Sequence, residues 1–128
     1  MKLLLDTCTF LWIVSDDPRL SPMVRAQFSA RENEVFLSPV SAWEISIKHR
    51  LKKLQLPCPP DEFVPVQPEA HGITELPLHE HAALFDARLP THHRDPFDRM
   101  LICQALAEGA VLATPDPAIA RYPVPIYW

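Results

Sequence analysis

Glycine is almost absent from this sequence. Only Gly72 and Gly109 occur, which excludes a glycine-rich phosphate cradle of the P-loop or dinucleotide-binding kind. Cysteine is scarce too: Cys8, Cys58 and Cys103 are odd in number and far apart, with no CxxC pair. A disulfide scaffold and a cysteine-based zinc site are therefore excluded, and a reducing compartment fits best. No apolar run approaches the ~20 residues of a membrane helix. The leading Met1-Lys2-Leu3-Leu4-Leu5 is cut short by Asp6 with no small-residue cleavage site behind it, so no secretory signal is expected and the expected location is cytoplasmic. Basic charge is not in excess. Lys plus Arg is 12 against 16 Asp plus Glu, a net charge of −4, which suits neither a polyanion-wrapping protein nor a disordered chain.

What is present is a globular composition. The 128 residues are 48% apolar, enough for one core, and no composition shift, repeat or low-complexity stretch divides residues 1–128 into more than one domain. Fifteen prolines cut the chain into short elements.

Leu3-Leu4-Leu5 reads as a buried strand, followed by a helix over Thr7 to Val14. Ser21-Pro22 opens a second helix to about Ala30. Val35 to Ser38 is a second strand, and residues 43, 47, 51 and 54 set a helical spacing over Ser41 to Leu54. Five prolines at 57, 59, 60, 65 and 68 allow only a short helix near Asp61 to Val64. A strand over Ile73 to Leu78 and a helix over His79 to Leu89 follow. Asp95 to Glu108 is a helix with Pro96 first and Gly109 closing it. Val111 to Thr114 is a strand, Pro117 to Arg121 a helical turn, and Val124 to Trp128 a last strand. Alternating strands and helices predict an α/β fold, a parallel sheet with helices on both faces.

Acids recur at the junctions. Asp6 follows the first strand, Glu44 falls in the first turn after the second, Asp98 in the first turn of the 95–108 helix, and Asp116 just past the 111–114 strand. In such sheets the carboxyl ends of the strands form the ligand-binding edge, which Asp98, following a helix and loop, reaches only if the start of its helix packs over it. Each acid also has a capping explanation. Ser41-Ala42-Trp43-Glu44 matches a capping box, Asp95 suits the cap of its helix, Asp116 precedes Pro117, and Asp6 precedes Thr7. Capping needs only one short polar residue, however. Two carboxylates ~5 Å apart repel by roughly 3 kcal/mol at an effective dielectric of ~20, and a divalent cation with hard oxygen preference, Mg²⁺ or Mn²⁺, removes that conflict.

The segments Leu3-Leu4-Leu5-Asp6-Thr7-Cys8-Thr9-Phe10-Leu11-Trp12, Ser38-Pro39-Val40-Ser41-Ala42-Trp43-Glu44-Ile45, His92-His93-Arg94-Asp95-Pro96-Phe97-Asp98-Arg99-Met100-Leu101-Ile102 and Ala113-Thr114-Pro115-Asp116 resemble a PIN domain. In particular they are similar to a VapC-type toxin ribonuclease of a bacterial type II toxin–antitoxin pair. The resemblance spans nearly the whole chain. The His-Arg-Asp-Pro-Phe-Asp-Arg run is its most specific part, and the proline-broken 55–70 stretch departs from it. It implies a three-layer α/β/α sandwich with a short central parallel sheet. It also implies an endoribonuclease that uses Mg²⁺ or Mn²⁺ and leaves a 5′-phosphate and a 3′-hydroxyl. Asp6, Glu44, Asp98 and Asp116 would be the acidic, metal-holding site, with Thr7, Ser41, Asp95 and Thr114 in support. A homodimer and a cognate antitoxin are the implied partners.

RNA must also be gripped. Lys48, His49, Arg50, Lys52 and Lys53 follow Glu44, and either contact phosphates or form a solvated face. Arg94 and Arg99 flank Asp98 and are expected on phosphate or on the carboxylates. Trp12 and Trp43 are expected in core or dimer packing, and Cys103 in the core. No zinc-like spacing recruits the six histidines. Two other classes stay open. One is an inactive PIN-like module that binds RNA or protein, separable by a metal-dependent cleavage assay. The other is a phosphoryl-transfer enzyme or receiver, which the lack of a second acid two residues after Asp6 disfavours.

Overall fold

The computed structural model describes residues 1–128. Five parallel strands, β1 (Lys2–Leu5), β2 (Glu34–Leu37), β3 (Thr74–Glu75), β4 (Val111–Ala113) and β5 (Ile126–Tyr127), lie in the order β3-β2-β1-β4-β5. Helices α1 (Thr7–Ser15), α2 (Pro22–Ser29), α3 (Pro39–Arg50), α4 (Pro60–Ala70), α5 (Glu80–Leu84) and α6 (Pro96–Glu108) fill the connections, with 3-10 turns at Phe85–Arg88 and Ile119–Arg121.

Strand β1 sits at the centre because its side chains are apolar on both faces. Leu4 packs with Leu101, Ile102, Leu112 and Ile119 on one side. Leu3 and Leu5 point the other way, into Phe10, Val24, Ile45 and Phe63. The two cores make the expected three-layer α/β/α sandwich. The chain runs from β1 outward to β2 and β3, then crosses back to β4 beside β1. The order therefore reverses between β1 and β4, and at such a switch the loops part to leave a crevice at the strands' carboxyl ends.

Several boundaries differ from expectation. Helix α3 starts at Pro39 and is capped by Ser38, whose Oγ accepts from Val40 N at 3.0 Å. The Ser41–Glu44 capping box is thus not formed, and Glu44 lies in the second turn. The helix stops at Arg50, with Lys52 in the left-handed region at φ 59°, rather than running to Leu54. Helix α4 is eleven residues long despite Pro65 and Pro68. Pro60 supplies its first turn without needing an N–H, and buried Phe63 holds it edge-on against Phe10 at 6.3 Å, so packing overrides the two ring clashes. The third strand is only two residues, because Leu76 turns inward and Pro77 has no N–H to extend the ladder. The expected 79–89 helix ends at Leu84 and tightens into the 3-10 turn. The last strand is two residues rather than five.

Trp43 is not core. The residue is 58% exposed, its ring resting edge-to-face on Phe97 at 5.0 Å. Trp12 is half-buried and packs against Trp128. Cys103 is fully buried, and burial pushes its thiol up to about 11. All three cysteines are free, and no helix is long and apolar enough to cross a membrane.

Candidate active site

The crevice at the β1–β4 switch is a cleft of about 390 Å³, and Asp6, Glu44, Asp95, Asp98 and Asp116 all line it. Four separate stretches of chain supply them. Asp6 ends β1, Glu44 comes from α3, Asp95 and Asp98 open α6, and Asp116 follows β4. Lys48 and Lys53 are the cationic side chains of the wall.

Asp6 caps α1, its Oδ1 accepting from Thr9 N at 2.9 Å, while its own N–H donates to Ala113 O at 3.1 Å. The first bond ties the carboxylate to α1, and the second ties its backbone, just past β1, to β4. Burial pushes the Asp6 carboxyl above its ordinary value, against hydrogen bonds from Thr114, Thr9 and Cys8 that favour the charge. The Cys8 thiol lies 3.4 Å from Asp6 Oδ1, and burial together with that neighbouring charge pushes it up to about 12. It is therefore a neutral thiol rather than a soft thiolate ligand.

Glu44 is buried and paired twice. The Thr7 hydroxyl donates to Oε1 at 2.6 Å and stands 3.0 Å from Ser41 Oγ. Lys48, one turn along α3, binds Oε2. Burial draws the Lys48 ammonium down, yet the carboxylates of Glu44, Asp95 and Asp98 outweigh it and leave the group higher than usual.

Asp95 caps α6, accepting from Phe97 N at 2.9 Å and Asp98 N at 3.1 Å. Asp98 is pushed up to about 6, first by burial, then by the charges of Asp95, Asp116 and Glu44, with a hydrogen bond from His93 pulling the other way. Asp116 turns its Oδ1 to Ala118 N at 2.9 Å, and its N–H donates to Thr114 Oγ1 at 3.1 Å. Asp98 and Asp116 each spend one oxygen on the protein and leave the other without a protein donor.

The basic residues divide. Lys48 and Lys53 reach the cleft, whereas exposed Lys52 and Arg94 stand outside its lining. Arg99 corrects the expectation that it serves phosphate or the site carboxylates. It is buried, with Nε on Asp86 Oδ1 at 2.9 Å and Nη1 on Pro90 O at 2.7 Å. The reason is helical geometry: one residue past Asp98, its side chain leaves α6 about 100° away. His93 is the site residue that sequence reasoning did not assign. Its Nε2 is 3.3 Å from Asp98 Oδ2, and the only signal for it was its place five residues upstream in the same run.

No three His, Cys, Asp or Glu side chains are grouped tightly enough to hold an ion by themselves. The donor chemistry still fits Mg²⁺ or Mn²⁺. Mg²⁺ keeps several of its waters and needs only one or two carboxylates, which an open, water-reachable cleft with free oxygens on Asp98 and Asp116 provides.

A chain of the Rickettsia felis VapBC2 complex, solved on a promoter DNA fragment, is similar at 16% identity and a TM-score of 0.74, over 99% of this chain and 98% of that one. A chain of the DNA-bound Salmonella typhimurium VapBC complex is similar at 18% identity and a TM-score of 0.70, over 99% and 97%. A chain of FitAcB from Neisseria gonorrhoeae matches at 18% and 0.63, over 98% and 96%. Curated protein sequences gave no significant match. The family model described as PIN domain matches residues 3–125, nearly the whole chain, so this protein belongs to the PIN domain family.

Proposed function

We propose that this chain is a metal-dependent endoribonuclease, the toxin of a type II toxin–antitoxin pair, acting in the cytoplasm. The observation that carries the reading is the convergence of acids from four chain segments on one cleft that holds only two lysines. Such crowding of like charge is costly, and a structural role does not call for it.

Asp6, Asp98, Glu44 and Asp116 would hold Mg²⁺ or Mn²⁺, which would supply Lewis acidity toward the phosphate and a water of lowered pKa. The protein does the positioning. Asp6, fixed to both central strands, is the central carboxylate. Thr7 and Lys48 hold Glu44 so that it orients water at the cleft wall. Lys53 meets the entering RNA backbone. Water attacks phosphorus, the P–O3′ bond breaks, and a 5′-phosphate and a 3′-hydroxyl result. The test is incubation of the purified protein with RNA in Mg²⁺, Mn²⁺ or EDTA, with analysis of the product ends. Metal-dependent cuts bearing 5′-phosphates support the reading. An intact acid cleft with no cleavage of any RNA favours the inactive binding module instead.

The solved neighbours are VapBC assemblies, and this reading extends that pairing to the present chain: a cognate antitoxin holds it inactive. Homodimer formation belongs to the same reading, supported by exposed Trp43 on α3 and exposed Leu51 just past its end. Co-expression with the neighbouring short gene, followed by co-purification and sizing, tests both partners.

A further inference from the structure

A chain of polar contacts runs behind Asp98 and ends at an ion pair between buried Arg99 and half-exposed Asp86. The Tyr122 hydroxyl stands at its centre. It receives the His93 backbone N–H at 3.1 Å and Arg99 Nη1 at 3.3 Å. It also meets His93 Nδ1 at 2.8 Å, and the His93 carbonyl oxygen lies farther off at 3.5 Å. His93 Nε2 reaches Asp98 Oδ2 at 3.3 Å. Arg99 is itself anchored on Asp86 at 2.9 Å.

Counting donors fixes the protons. A phenol oxygen has two lone pairs and one proton. The backbone N–H and the guanidinium, neither of which can accept, occupy both lone pairs. The phenol proton must therefore go out, and its nearest acceptor is His93 Nδ1. A neutral imidazole that accepts at Nδ1 carries its own hydrogen on Nε2, which faces Asp98.

We propose that His93 is a positioning residue, held by Tyr122 in the Nε2–H tautomer so that it donates to Asp98 Oδ2 and sets how that carboxylate faces the cleft. This rests on the reading of Asp98 as an ion-holding carboxylate. The anchoring Arg99 gives the device its rigidity, since its guanidinium is locked by Asp86 and the 86–90 carbonyls. The C-terminal segment thereby becomes part of the site through one hydroxyl.

The experiment uses the whole protein, free of metal, with ¹⁵N-labelled histidine and ¹³C-labelled aspartate. The expected result at neutral pH is a His93 ring protonated on Nε2 and bare on Nδ1. Tyr122→Phe should move both the His93 nitrogen and the Asp98 carboxyl signals. Mn²⁺ titration then reads the consequence. His93→Ala should weaken binding roughly 10-fold, the scale for outer-shell partners, and His93→Gln, which keeps an N–H donor, should recover most of it. A proton found on Nδ1, or an Asp98 signal indifferent to Tyr122→Phe, overturns the proposal. So does a folded His93→Gln as weak as His93→Ala. If the parent binds no Mn²⁺, the ion-holding reading of the cleft fails, and the tautomer and Asp98 signals alone decide the positioning role.

Discussion

The Thr7 hydroxyl donates to Glu44 Oε1 at 2.6 Å, across 37 positions of sequence. It joins the first residue of α1 to the middle of α3, and so fixes the distance between the Asp6 and Glu44 corners of the cleft. Thr7→Val keeps the shape and removes the donor. A hydrogen bond to a charged, buried acceptor contributes about 1.5–3 kcal/mol. Thr7→Val should lose about that much in denaturant unfolding and should lower cleavage as well. A variant as stable as the parent would show that the bond contributes nothing.

Asp98 links the site to pH. Its folded carboxyl is pushed up to about 6 from an ordinary 3.8. Between those values the folded state binds more protons than the unfolded state, so stability falls as pH rises through the window. Metal-free protein should therefore gain melting temperature as pH drops from 7 toward 4 through this group. Asp98→Asn should be more stable than the parent at pH 7, and its advantage should shrink as the buffer is acidified. A constant difference across that range would contradict the shift.

Pro65 tests how α4 holds together. A proline inside a helix lacks the N–H for the carbonyl four residues back and crowds it. Pro65 is exposed, so its ring adds little packing. Pro65→Ala restores the bond to Asp61 O and gains helix propensity, at the cost of about 0.4–1 kcal/mol from a freer unfolded chain. A net stabilisation of about 2 kcal/mol is expected, roughly 3 kcal/mol of helix propensity less that cost. Thermal unfolding decides it, and a loss of stability would mean that α4 needs its kinks.

Lys53 and Lys52 are neighbours with different predicted roles. Lys53 lines the cleft and Lys52 does not. Lys53→Ala should weaken RNA binding and reduce the slope of log affinity against log salt by about one. Lys52→Ala should change neither. Equal effects would assign both to a general basic face.

Much of this was legible in the residues. Three adjacent leucines followed by an aspartate announce a central strand that feeds a ligand edge, and Asp95-Pro96 states where α6 begins. Asp6, Glu44 and Asp116 pointed to the cleft because they follow strands whose ends share one edge of a parallel sheet, whereas Asp98 follows a helix and loop and reaches it only because α6 starts over that edge. What stayed hidden depends on long-range packing. Whether Pro65 and Pro68 break α4 is decided by Phe63 meeting Phe10, which no local rule contains. Ser38 rather than Ser41 caps α3, since both fit the local pattern and only the strand end at Leu37 selects between them. Arg99, expected on phosphate or on the site carboxylates, is instead held by Asp86 and Pro90, partners that local sequence does not place beside it.

The most direct test is Asp6→Asn. Asparagine can cap α1 as aspartate does, so the variant should keep the parent's melting temperature in EDTA, or exceed it through relief of repulsion. The measurement is RNA cleavage in Mg²⁺ and Mn²⁺ by parent and variant at equal concentration. The predicted result is a folded protein with cleavage reduced to background; full cleavage by folded Asp6→Asn would contradict the account at its root.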